Sequence, residues 1–129
     1  MTATDDPLDL LVLGSGVAGL TAAVRAADQH GLRVGVITKG KLDQGTTPWA
    51  QGGVAAVLVD DADSTDLHLT DTLNAGAGLC DPDAVRVLVD DGPERVNELM
   101  ALGARFDTDE LGRLELALEG GHSLARIVH

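Results

Sequence analysis

The segment Gly14-Ser15-Gly16-Val17-Ala18-Gly19 limits what this chain can fold into more than any other. It follows a short apolar run at residues 8–13 (L-D-L-L-V-L) and opens residues 17–30, where apolar Leu20, Ala23, Val24 and Ala27 recur at helical spacing. Gly31 stands where a helix C-terminus favours a left-handed residue, and residues 32–37 (L-R-V-G-V-I) read as a second buried strand. A strand, a glycine-rich turn, a helix and a strand within about 30 residues have the size of a βαβ unit. The expected fold class is therefore α/β, the start of a Rossmann-like nucleotide-binding domain. It is incomplete as given, because a doubly wound sheet needs more parallel strands than are visible.

Each glycine of this G-x-G-x-x-G pattern has its own reason. Gly14 permits the tight turn, Gly16 lets backbone approach a pyrophosphate, and Gly19 lets helix and strand pack closely; the phosphates then rest on a helix N-terminus whose N–H groups lack intrahelical partners. A purely structural glycine turn is the alternative. The carboxylate that usually binds an adenosine ribose after the second strand is missing, since that place reads Thr38-Lys39-Gly40. This disfavours a standard NAD site. Lys39 suits an NADP 2′-phosphate or a flavin nucleotide, or else is an ordinary solvated lysine. Residues 39–53 lack periodicity and form a long loop holding the only Trp, which argues for function over disorder. In it, Thr46-Thr47-Pro48-Trp49-Ala50-Gln51-Gly52-Gly53 offers hydroxyls, a side-chain amide and a glycine pair to a flat heteroaromatic ring. Composition alone equally allows a plain connection.

Beyond the loop, residues 54–59 suggest a strand and Ser64 caps a helix that Gly76 and Gly78 end. Asp81-Pro82 opens a helix towards Asp91, Gly92-Pro93 marks a break, and a further helix runs to Leu102, closed by Gly103. Residues 113–118 are extended, and a helix starting at Ser123 is cut off by the chain end, leaving Leu124, Ile127 and Val128 little to pack on. The chain thus reads as the N-terminal part of something longer. With only Trp49 and Phe106 as aromatics, any core is built from Ala, Val, Leu and Ile.

The net charge of −12 is uneven: residues 1–58 hold 4 bases and 5 acids, residues 59–129 hold 5 bases and 16 acids. No basic stripe exists for nucleic acid, and an anionic membrane would repel the second half. The lone Cys80 excludes an intrachain disulfide, and His30, His68, His122 and His129 are too scattered to suggest a metal site. Cys80, His68 and His129 read as structural residues, Cys80 as a small hydrophobe. Without a charged leader, an apolar span or paired cysteines, the expected location is the cytoplasm.

The runs G-S-G-V-A-G-L (14–20), T-K-G (38–40) and T-T-P-W-A-Q-G-G-V-A-A (46–56) resemble the flavoprotein family of succinate dehydrogenase, fumarate reductase and L-aspartate oxidase. Later segments, Asp71-Thr72-Leu73, Ala75-Gly76-Ala77-Gly78-Leu79-Cys80-Asp81, Glu119-Gly120-Gly121-His122-Ser123 and Arg126-Ile127-Val128-His129, resemble its L-aspartate oxidase branch. The resemblance implies FAD across the cofactor-binding turn Gly14 to Gly19, with Ser15, Gly16, Val17 and Ala18 at the pyrophosphate, Lys39 at the adenosine end, and Thr46 to Gly53 along the flavin. The respiratory members attach FAD through a His near the start of that loop. The matching place here is Thr46, so non-covalent FAD is implied.

That branch moves a hydride from the α-carbon of L-aspartate to flavin N5, giving iminoaspartate, with oxygen or fumarate as electron acceptor. The product feeds quinolinate and NAD biosynthesis, with quinolinate synthase as the implied partner. Glu119 and His122 are the implied substrate-binding residues, Glu119 for the α-amino group; a solvent-facing Glu in an acidic half is the alternative. No catalytic residue is expected within this chain, because the family arginine lies beyond residue 129. The implied layout makes 1–129 the N-terminal part of the FAD-binding domain, with the rest of a capping domain and a C-terminal helical domain outside it, and the segment inactive and poorly folded alone. A succinate dehydrogenase or fumarate reductase flavoprotein, or a non-catalytic nucleotide-binding fragment, are the other readings.

Overall fold

The computed structural model describes residues 7–45, 47–50, 52–58 and 62–129. The chain forms two compact units, Met1–Gln51 and Gly52–His129. In the first, β1 (Leu10–Leu13) leads through the glycine turn into α1 (Val17–His30), and β2 (Val34–Ile37) returns parallel to β1. The register pairs Leu10 with Val34 and Leu13 with Ile37. Helix α1 buries Ala23 and Ala26, three residues apart on one face, so small side chains set its approach. It ends at Gly31 in the left-handed region, φ 63° and ψ 21°, whose N–H donates to the Ala27 carbonyl at 3.0 Å. Asp9 fixes the start of the pairing: its carboxylate accepts from the Arg33 backbone N–H at 2.8 Å and from Arg33 Nε at 3.3 Å. Residues 39–45 and 47–50 hold two single 3-10 turns, Leu42–Gln44 and Thr47–Trp49.

The second unit contains β3 (Val54–Ala55), α2 (Thr65–Ala75), α3 (Pro82–Ala101) and β4 (Ile127–Val128). Ser64 Oγ accepts the Leu67 N–H at 3.1 Å, capping α2, and Asp81 Oδ1 accepts from Asp83 and Ala84 N–H to cap α3. Strand β4 runs antiparallel to β3, with Ile127 opposite Ala55 and Val128 opposite Val54. The core gathers Ala56, Val96 and Val128 with Leu58, Met100, Phe106, Leu114 and Leu116 around them. Each buried valine contributes about 1.5–3 kcal/mol.

Three expectations are corrected here. The break at Gly92-Pro93 is absent: α3 is one helix with Pro93 inside it. Val85, Val89 and Val96 are buried along one face, and Gly92 turns towards Ala56 between them, so a single apolar seam crosses the proline. Burying that seam outweighs the bond that Pro93 cannot donate. The helix expected from Ser123 is likewise absent. Residues 127–128 are a strand with Ile127 4% and Val128 0% exposed, so these residues are core instead of lacking something to pack on. Their β-branched side chains suit a strand, and the Ala56 N–H completes the pairing by donating to the Arg126 carbonyl at 3.1 Å. The expected strand at 54–59 is paired only at Val54–Ala55, and Val59 lies outside the described residues.

Candidate functional site

The two strands of the first unit end side by side, and the glycine turn leaves β1 at that edge. Gly14 takes φ 110°, a left-handed conformation that any side chain would strain, and its N–H donates to the Ile37 carbonyl at 2.8 Å. A Cβ on Gly19 would overlap the Gly14 carbonyl oxygen and reach 3.3 Å from Val12 Cγ1, so helix and turn meet closely only because Gly19 has none. Gly16 differs. It is the N-cap of α1, and a Cβ there would find only Thr47 Oγ1, at 3.8 Å. Ser15 is buried and its hydroxyl bonds Thr38 Oγ1 at 3.0 Å, tying the turn to the end of β2.

These residues frame an open cleft of about 740 Å3, lined by Leu13, Gly14, Ser15, Gly16, Ile37, Thr38, Lys39, Gln44 and Gly45. Of the sequence-predicted residues, Gly14, Ser15, Gly16 and Lys39 line it. Val17 and Ala18 form the exposed first turn of α1, and the Val17 N–H donates to Thr47 Oγ1 at 3.1 Å. Thr47, Pro48 and Trp49 form an exposed 3-10 turn followed by exposed Ala50. Thr46 and Gln51 lie outside the described residues. Gly52 and Gly53 belong to the second unit, where a Cβ on Gly53 would overlap Ile127 Cγ2; packing against β4 requires that glycine. A helix N-terminus whose N-cap residue supplies no side chain, an unfilled Gly16 position and a lysine at the rim fit a nucleotide diphosphate.

The second unit holds a charged cluster that sequence reasoning missed. Arg126 is fully buried; its Nε and Nη2 donate to both oxygens of Asp63 at 2.9 and 2.8 Å, and Nη1 donates to Asp71 Oδ2 at 2.6 Å. The same Asp71 oxygen accepts from the Ser123 N–H and hydroxyl, each at 2.8 Å. Donation from Ser123 and Arg126 holds the Asp71 carboxyl at a pKa of about 2, and Arg126 lowers that of Asp63. Nη1 also lies 3.0 Å from His122 Nδ1, and the His122 ring stands 5.5 Å from that of buried His68, tilted 49°. Burial, then the charge of Arg126, lowers the His68 pKa. The one signal in the sequence was an arginine set among Leu124, Ile127 and Val128 in an acidic half.

This cluster carries the turn 119–122, closed by the His122 N–H on the Glu119 carbonyl at 3.3 Å, with Gly121 at φ 87°. Half-exposed Glu119 has Oε1 3.3 Å from His129 Nε2. Among the described residues no group of His, Cys, Asp and Glu has the geometry of a metal site, and no helix is long and apolar enough to cross a membrane.

Residues 9–129 match the family model described as FAD binding domain. The chain is 58% identical over 121 residues to the L-aspartate oxidase of Streptomyces coelicolor, covering 94% of this chain and 20% of that protein. Against the chloroplastic L-aspartate oxidase of Arabidopsis thaliana it is 54% identical over 121 residues, covering 94% of this chain and 18% of that protein. Among solved structures, the apo Sdh1 complex of Mycobacterium smegmatis superposes with a TM-score of 0.87 at 36% identity, covering 95% of this chain and 21% of that one. An E. coli quinol fumarate reductase chain gives 0.87 at 32%, covering 94% and 21%. The chain therefore spans about a fifth of the length of the relatives it matches.

Proposed function

The chain belongs to the FAD binding domain family, whose cofactor is FAD, and from that premise we propose that it is the cofactor-binding part of an enzyme that oxidises L-aspartate to iminoaspartate. The observation that carries this reading is the 58% identity to an L-aspartate oxidase across 94% of the chain. In this proposal residues 1–129 are the N-terminal part of the FAD-binding domain. The rest of a capping domain, a C-terminal helical domain and the catalytic arginine lie outside them.

FAD, when bound, supplies the two-electron acceptor for the amino acid. The chain's own residues bind and orient. Ser15, Gly16, Val17 and Ala18 hold the pyrophosphate against the first turn of α1, Gly14 and Gly19 shape the turn that presents them, and Lys39 offers its ammonium to the adenosine half. Thr46, Thr47, Pro48, Trp49, Ala50, Gln51, Gly52 and Gly53 follow the flavin. No His stands between His30 and His68, so the attachment is non-covalent. Glu119 accepts a charge-assisted hydrogen bond from the substrate's α-ammonium, and His122 assists substrate binding. Oxygen or fumarate accepts the electrons, the product goes towards quinolinate and NAD with quinolinate synthase as partner, and the enzyme works in the cytoplasm.

The test is turnover by FAD-loaded protein expressed at the length of the relatives. Oxygen consumption with L-aspartate and none with succinate supports the reading. The reverse pattern would establish the second one, a succinate- or fumarate-type flavoprotein, which the 0.87 superposition on fumarate reductase favours.

A further inference from the structure

We propose that Arg126 is a positioning residue that fixes His122 as the neutral tautomer with its hydrogen on Nε2, making His122 a hydrogen-bond donor to a substrate carboxylate. This rests on the reading of the site as one for an amino dicarboxylate. A guanidinium has five N–H donors and no acceptor. With Arg126 Nη1 3.0 Å from His122 Nδ1, that ring nitrogen can only accept, so the ring's hydrogen sits on Nε2. A doubly protonated ring would set N–H against N–H beside a buried cation.

The guanidinium has no freedom to relax the constraint. Nε and Nη2 are engaged by Asp63, and Nη1 divides its two hydrogens between Asp71 and His122. Arg126 is 0% exposed, so water does not compete for these bonds. Asp71 also holds the backbone and hydroxyl of Ser123, next to His122, which anchors the turn to α2. The His68 ring on the neighbouring face limits how far His122 can turn. His122 is only half buried, and no described residue bonds its Nε2. A neutral donor there attracts a carboxylate without repelling the α-ammonium group of the same substrate, which Glu119 is placed to receive three residues earlier on the turn.

The experiment is nitrogen NMR of the FAD-loaded protein with labelled histidine, with malonate as a non-oxidisable dicarboxylate probe. The expected spectrum shows His122 with a bare Nδ1 and a protonated Nε2, and malonate shifts the Nε2 signal while Nδ1 stays bare. A proton on Nδ1, or a doubly protonated ring at neutral pH, overturns the tautomer; an Nε2 signal indifferent to malonate overturns the donor role. Two variants read the same point by affinity. His122→Gln keeps an amide donor near the Nε2 position and should hold malonate within about threefold of wild type, whereas His122→Asn should weaken it about tenfold. Equal losses in both refute the assignment. Arg126→Lys, which cannot fork to Asp63 while reaching Nδ1, should give a mixture of tautomers; an unchanged pure Nε2–H form would show that Arg126 is not what fixes it. Malonate binding at His122 in a protein that does not oxidise L-aspartate would discard the substrate reading and leave this inference standing.

Discussion

Gly16→Ala and Gly19→Ala distinguish a glycine kept for a ligand from one kept for the fold. At Gly16 the backbone is extended, φ −73° and ψ 173°, which alanine adopts freely, and the new Cβ would meet only Thr47 Oγ1 at 3.8 Å. Alanine is a poorer N-cap than glycine by up to about 1 kcal/mol. Its smaller unfolded-state freedom returns about 0.4–1 kcal/mol. The two terms oppose each other, so the apoprotein should lose no more than about 0.6 kcal/mol of stability. At Gly19 the added methyl overlaps the Gly14 carbonyl oxygen and presses on Val12, both belonging to the strand and turn, with no flexible side chain to yield first. Overpacking costs about 1–3 kcal/mol, and a clash with backbone falls in the upper part of that range, about 2–3 kcal/mol; a helix gains about 1 kcal/mol from alanine, leaving a net loss of about 1–2 kcal/mol.

Cofactor binding should rank the two differently. The Gly16 position lines the cleft, so a methyl there takes space that backbone and pyrophosphate share, and FAD affinity should fall at least about tenfold, or 1.4 kcal/mol. Denaturant unfolding of the apoproteins and titration of FAD by quenching of its fluorescence give both numbers. Wild-type FAD affinity in Gly16→Ala, or an apoprotein as unstable as Gly19→Ala, would refute the division of roles.

Acid should unfold the second unit in two stages. The lowered His68 pKa means the unfolded chain binds more protons below its ordinary 6.5, so stability begins to fall there; the lowered Asp71 and Asp63 values add a steeper loss as pH drops from 3.8 towards about 2. Unfolding free energy measured from pH 8 to about 2 checks this, and a flat profile would contradict it. Gly92→Ala should stabilise α3 by about 1 kcal/mol, since its Cβ would stand 4.0 Å from Ala56 Cβ; a lower denaturant midpoint would count against a continuous helix. Acid precipitation of the FAD-loaded protein should release the yellow colour into the supernatant, and colour retained in the pellet would mean a covalent bond. Glu119→Gln should lower kcat/KM for L-aspartate by about 10- to 100-fold, the loss of one charged hydrogen bond, while fumarate reduction changes little; equal losses would remove Glu119 from the amino group.

What the sequence made legible, and what it hid, divides along the range of the forces involved. The βαβ unit was readable because its signals are local: Gly14 needs a positive φ, Gly31 caps α1 in the left-handed region, and both requirements sit within a few residues of the turn they serve. Ser64 and Asp81 were readable for the same reason, each bonding N–H groups two or three residues ahead. Pro93 misled because its local preference is real but is outweighed by the buried seam of Val85, Val89 and Val96, the last of which packs with Ala56, distant in sequence. Residues 123–129 misled more deeply. Ile127 and Val128 pair with β3 more than 70 residues away, and Arg126 is satisfied by Asp63 and Asp71, 63 and 55 residues back. A lone arginine among apolar neighbours is costly to bury unless carboxylates meet it, and nothing near Arg126 in sequence offers them. That cost is itself informative. Such an arginine in an acidic segment points to distant aspartates folded onto it, and here they also fix the histidine beside the glycine pair. The cluster absent from the sequence reading and the turn it emphasised, Glu119 to Ser123, are therefore one structure, with Glu119 on its exposed side and its anchor within.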